Sequence, residues 1–138
     1  MVTILMLVLS LTGPPIVDSF TVEDGLSLGH RISREVGYRT WNGSDCKGLV
    51  KGNDSYCKSG DCKALVKGND SYCDTEDCKA VIRNNTSYCR TDDCKGIVKR
   101  NTSYCRTGDC KAAVKANTSY CDSRACKALI TGNASYCP

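Results

Sequence analysis

Histidine is nearly absent from this chain: 138 residues include one, His30, together with one tryptophan, Trp41, and one phenylalanine, Phe20. Nucleophilic and acid–base catalysis require a base within reach of the nucleophile. His30 has no partner that the sequence identifies, so the chain is expected not to be an enzyme. No Cys-x-x-Cys pair occurs, and the single histidine stands outside the cysteine-bearing part. Structural zinc sites draw on closely spaced cysteines, often with histidine, so no metal or other cofactor is expected. The acid pairs Glu76-Asp77 and Asp92-Asp93 do not form the alternating ladder of a calcium loop, and read instead as acids at helix starts. A formal charge of +4 is too small to argue for nucleic acid. Beyond the first nineteen residues no stretch is apolar enough to span a bilayer.

Cysteine is what the chain has in quantity, with 12 residues, a level that marks a disulfide scaffold when a chain is secreted. All of them fall in a 16-residue unit repeated six times, with copies beginning at Asp45, Asp61, Asp77, Asp93, Asp109 and Ala125. Each copy reads Cys-Lys-small-apolar-apolar and then Asn-x-Ser-Tyr-Cys. The residue between Asn and Ser drifts through Asp, Asp, Thr, Thr, Thr and Ala, while Lys, Asn, Ser, Tyr and both cysteines stay fixed. Self-similarity at a constant period signals a repeat architecture.

Within a unit, Cys46, Leu49 and Val50 stand at i, i+3 and i+4 and share a helical face, while Lys47 and Lys51 point elsewhere. Asp45 suits the positive helix end as a cap, and Gly52-Asn53 suits a left-handed stop. Each unit is therefore expected to be a short helix, a turn and a brief return. The fold class is small, disulfide-rich and mainly α: six tandem helix-turn repeats in an elongated or loosely stacked array. One such unit buries too little apolar surface to hold itself in shape, so cross-links are expected to compensate.

Three segments follow from the composition. Residues 1–19 carry a short apolar run, a Thr12-Gly13-Pro14-Pro15 break and Val17-Asp18-Ser19 as a cleavage site, which is the pattern of a signal peptide. Residues 20–44 hold no cysteine and read as an arm or propeptide. Residues 45–138 are the repeats. The expected location is extracellular, with no transmembrane segment left after cleavage.

The cysteine spacing alternates x10 and x4. Sequence does not settle the pairing. Pairing within units is favoured: Cys46–Cys57, Cys62–Cys73, Cys78–Cys89, Cys94–Cys105, Cys110–Cys121 and Cys126–Cys137. It leaves none over, whereas pairing across the x4 gap strands Cys46 and Cys137 at opposite ends. Linking equivalent cysteines of neighbouring copies remains open. The Asn-x-Ser/Thr triplets at Asn42, Asn53, Asn69, Asn85, Asn101, Asn117 and Asn133 are expected glycosylation sites on turns, with Asn84 overlapping Asn85. The fixed lysines Lys47, Lys63, Lys79, Lys95, Lys111 and Lys127 are the candidate contacts for a partner, an anionic glycan or a surface or matrix component. The function expected is that of a secreted, multivalent binding or structural protein. The alternative is a precursor of several small cationic cystine-loop peptides, although the one dibasic pair, Lys99-Arg100, falls inside a unit rather than between units.

Overall fold

The computed structural model describes residues 41–138. The expected signal peptide and most of the cysteine-free segment, including His30, lie outside the described residues. Six helices follow one another: α1 (Gly43–Lys51), α2 (Gly60–Lys67), α3 (Glu76–Arg83), α4 (Asp92–Lys99), α5 (Gly108–Lys115) and α6 (Arg124–Thr131). Each leads into a three-residue 3-10 turn: Asp54–Tyr56, Asp70–Tyr72, Thr86–Tyr88, Thr102–Tyr104, Thr118–Tyr120 and Ala134–Tyr136. There is no strand among the described residues. The protein is thus a mainly helical, disulfide-rich series of helix-turn repeats.

The helix caps differ from expectation in one respect. The aspartate that opens each copy is not the cap. The hydroxyl of the residue two places earlier is: Cys62 N–H donates to Ser59 Oγ at 3.1 Å, and Thr75, Thr91, Thr107 and Ser123 serve α3 to α6 likewise. Asn42 caps α1, accepting from Asp45 N–H at 2.8 Å. A hydroxyl or amide oxygen at this position satisfies a third-residue amide that the helix leaves free. At the other end every helix stops on a left-handed residue, and the amide after it reaches back to the helix, as Asn53 N–H does to the Gly48 carbonyl at 2.9 Å. This back-bonding satisfies carbonyls that would otherwise lack partners.

Freed from capping, the aspartate reaches forward to the link that closes its own unit and caps the next helix. The Asp61 carboxylate accepts from Asp74 N–H at 2.6 Å, from Thr75 N–H at 3.2 Å and from Thr75 Oγ1 at 2.9 Å. Asp45, Asp77, Asp93 and Asp109 repeat the reach to residues thirteen and fourteen positions on. Asp45, Asp61, Asp77 and Asp93 are buried. A buried carboxylate is tolerable when hydrogen bonds replace its water. Ala125 is the exception, and the amide it would meet belongs to Pro138, which has none to donate.

The disulfides correct the favoured pairing. The second cysteine of each unit joins the first of the next: Cys57–Cys62, Cys73–Cys78, Cys89–Cys94, Cys105–Cys110 and Cys121–Cys126. Residues five apart on a helix would face different ways, but the chain between them is not helical. Cys57 and Ser59 are extended (ψ 134° and 155°), and this folds the link back so that the two Cα atoms stand 5.5 Å apart. Cys57 Sγ comes back against Gly48 of its own helix, where Cys62 of the next unit meets it, while Cys46 is taken by Cys137.

Cys46 and Cys137 are not stranded. They pair with each other across a sequence separation of 91, at a Cα distance of 5.8 Å. Helix α1 packs on α6 and on the last 3-10 turn, just as α2 packs on α1 and on the first. The stack of repeats is therefore closed, and the interface between last and first units uses the same positions as the other five. The buried face is built from the first cysteines, the small residues Gly48, Ala64, Ala80, Gly96, Ala112 and Ala128, and Leu49, Leu65, Val81, Ile97, Ala113 and Leu129. Val50 and its equivalents are half-buried. The small column backs the disulfides: a Cβ at Gly48 would lie 3.0 Å from Cys57 Sγ and 3.3 Å from Cys62 Sγ.

Candidate functional site

Each unit presents one outer surface made from its helix flank and its 3-10 turn. Lys47, Lys63, Lys95, Lys111 and Lys127 are exposed and Lys79 is half-exposed, one to each helix. One helical turn further on stand Lys51, Lys67, Arg83, Lys99 and Lys115, with Thr131 in the last unit. Spacing of four places both cations of a helix on one flank.

The second cation of each pair rests over the tyrosine of its own unit. Lys51 Nζ is 6.0 Å from the Tyr56 ring centre, Lys67 5.9 Å from Tyr72, Lys99 6.0 Å from Tyr104 and Lys115 5.9 Å from Tyr120, and the Arg83 guanidinium is 5.4 Å from Tyr88. These distances place each cation in the attractive field of the ring face. The rings themselves remain open to solvent, with Tyr56, Tyr72, Tyr104, Tyr120 and Tyr136 between 39% and 43% exposed. Two of the cations also pair across the unit boundary: Lys67 with Asp54 at 3.1 Å, and Arg83 with Asp70. The hydrogen bonds to these carboxylates, and then their charge, hold the Lys67 ammonium and the Arg83 guanidinium above their ordinary values.

The turn asparagines complete the surface. In every unit the Asn side-chain oxygen accepts from the Ser N–H two places on, at 2.9 Å for Asn53 and 3.0 Å for Asn69, with Asn85, Asn101, Asn117 and Asn133 alike. All six are exposed, and so is Asn42 at the start of α1. The side-chain nitrogen, the atom that a glycan would take, has no hydrogen-bond partner among the described residues. Asn84 differs: it is the left-handed terminator of α3 (φ 57°).

The first lysine column differs from the other fixed positions. Cysteine, asparagine, serine and tyrosine each have a structural partner. Among the described residues, Lys79 alone of the six lysines has an ionic one, Glu76 at 3.9 Å. Sets such as Asp45 with Cys57 and Cys62 also converge, their ligand atoms within 4.8 Å of one another. Those sulfurs are bonded to each other, so they offer no thiolate to an ion.

Comparison with known protein families, with curated proteins and with solved structures finds no match to this chain.

Proposed function

We propose that this is a secreted, multivalent binding or scaffold protein that works as one intact body of six repeats. The observation that carries the reading is the covalent stitching of the array. Every link between units is bridged by a disulfide, and Cys46–Cys137 joins the last unit to the first. Six disulfides suit an oxidising compartment. No helix among the described residues is long and apolar enough to cross a membrane. Repetition turns one modest contact into several at high effective concentration, and the Lys–Tyr–Asn surface recurs around the closed array. Glycans on the turn asparagines fit the same reading, because those residues stand on exposed turns.

The peptide-precursor alternative loses ground on the same geometry. A cut anywhere between Lys58 and Asp61 leaves the two sides tied by Cys57–Cys62. Intact mass of the product released by expressing cells tests the reading, measured before and after reduction and deglycosylation. One species holding all six repeats is expected, gaining two hydrogens per bridge on reduction and losing sugar on deglycosylation. Fragments near one-sixth of the repeat region in size would replace this reading with the precursor.

A further inference from the structure

We infer that the cations along the six helix flanks, paired on five of them and single on the last, form a site for a sulfated polysaccharide, gripped by neighbouring repeats together. The inference rests on the multivalent reading above and names the class of ligand. It starts from the fixed lysines that no fold requirement explains. The cysteines bridge, the small column makes room for the bridges, the asparagines cap and five of the six tyrosines lie under the second cations. Lys47, Lys63, Lys95, Lys111 and Lys127 have no acidic partner among the described residues, nor do Lys51, Lys99 and Lys115. An exposed ammonium held in the same place in five of the six units, with no acid beside it among the described residues, keeps its field available to a ligand.

Positive charge predominates on this flank, where only Lys67, Lys79 and Arg83 meet an acid among the described residues. The links between units carry Lys58, Asp74, Arg90, Arg106 and Asp122 at equivalent positions, and Arg106 is already engaged by Asp92 at 2.6 Å. Opposed charges along that column cancel over distances beyond a Debye length, about 8 Å in physiological salt. On the helix flanks the charges add, and adjacent helices pack at roughly 8–10 Å. A partner with strong acid groups repeated along a chain can meet several such flanks at once. A single small anion cannot. The tyrosine faces beside the second cations add apolar surface for the sugar rings, whose C–H faces stack on aromatics.

The test compares two variants with the same loss of positive charge. One is Lys63→Gln, Lys79→Gln, Lys95→Gln and Lys111→Gln, on the flanks. The other is Lys58→Gln, Arg90→Gln, Arg106→Gln and Arg124→Gln, at the links and the start of α6. All eight side chains are exposed or nearly so, and correct folding is checked by disulfide-bonded mass and helical circular dichroism. The probe is heparin, with desulfated heparin and phosphatidylserine vesicles in parallel. Four surface charge contacts correspond to a loss of about thirtyfold or more in affinity. We expect that loss for the flank variant, under threefold for the link variant, and loss of wild-type binding on desulfation. Equal weakening by both variants would reduce the site to net charge and overturn the inference. Binding to vesicles without binding to heparin would replace it with a membrane surface. Intact six-repeat protein that binds neither probe would overturn this inference and leave the multivalent reading standing; only fragmentation removes both.

Discussion

Cys46 and Cys137, separated by 91 residues in sequence, stand with Cα atoms 5.8 Å apart and close the array. The other five bridges each span five residues. The consequences of cutting the two kinds are unequal. In the chain-entropy account a bridge stabilises by restricting the unfolded chain, and the restriction grows with the loop it closes. Replacing both members of Cys46–Cys137 with serine should cost about 4.5 kcal/mol, against about 2 kcal/mol for Cys73–Cys78. Urea unfolding of the two double variants, with the remaining bridges verified by mass, measures the difference. The opened variant should also become the more readily proteolysed at α1 and α6, since an array with ends frays there first.

The buried aspartates make a second ordering. Asp93 accepts from Arg106 N–H at 2.6 Å and from Thr107 Oγ1 at 2.8 Å. Removing the acceptor leaves these part-buried donors without it, so Asp93→Ala should cost about 1–3 kcal/mol. Asp45 is less well served, because its Oδ2 is buried with no partner, and Asp45→Ala should cost less. The reverse change, Ala125→Asp, installs a carboxylate opposite Pro138, which has no amide to offer. It should destabilise by about 1–3 kcal/mol rather than repair the repeat. Thermal melts of the three variants give the order.

Helix terminators supply a gain. Gly52, Gly68 and Gly132 end their helices at φ 68°, 69° and 72°, but Arg100 and Ala116 adopt the same left-handed conformation at φ 58° and 55°. A side chain there crowds the following carbonyl at a cost of roughly 1 kcal/mol. Arg100→Gly and Ala116→Gly should each raise the melting temperature, and Gly68→Ala should lower it. The two gains should add, since the sites lie in different units.

Much of this fold was legible in the repeat. The period, the helix with its buried cysteine and aliphatic face, the left-handed stop at Gly-Asn and the outward lysines all follow from residue order within one copy. The wrong pairing arose from treating Cys46 and Cys137 as ends. A signal was present one repeat upstream: Trp41 stands sixteen residues before Cys57, where a preceding unit would place its second cysteine. Tryptophan there, buried to 1%, leaves Cys46 without a local partner and free for Cys137. The aspartate's role was misread for a different reason. Its pairing lies thirteen residues away, and local capping rules see only three or four. The tyrosine–cation pairs were missed because Lys51 and Tyr56 belong to different elements, and only the turn brings them together.

The turn asparagines permit glycosylation to be separated from folding. Asn101 Oδ1 accepts from the backbone N–H of Ser103 at 2.9 Å, and any residue at 103 except proline supplies that donor. The glycan signal, by contrast, needs the hydroxyl of Ser103. Ser103→Ala should therefore abolish a sugar at Asn101 and change stability by less than about 0.5 kcal/mol. Asn101→Gln removes sugar and cap together and should cost about 1 kcal/mol, because the longer side chain misplaces the acceptor. At the overlapping pair the same logic chooses the site. Thr86→Ala removes the triplet of Asn84, and Ser87→Ala removes that of Asn85. Asn85 shares the extended backbone and forward-capped geometry of the other five (φ −137°, ψ 112°), so Ser87→Ala should delete the glycan of α3's turn and Thr86→Ala should retain it. Glycopeptide mass spectrometry of the variants decides the point, and a sugar that survives Ser87→Ala would place it on the helix terminator instead.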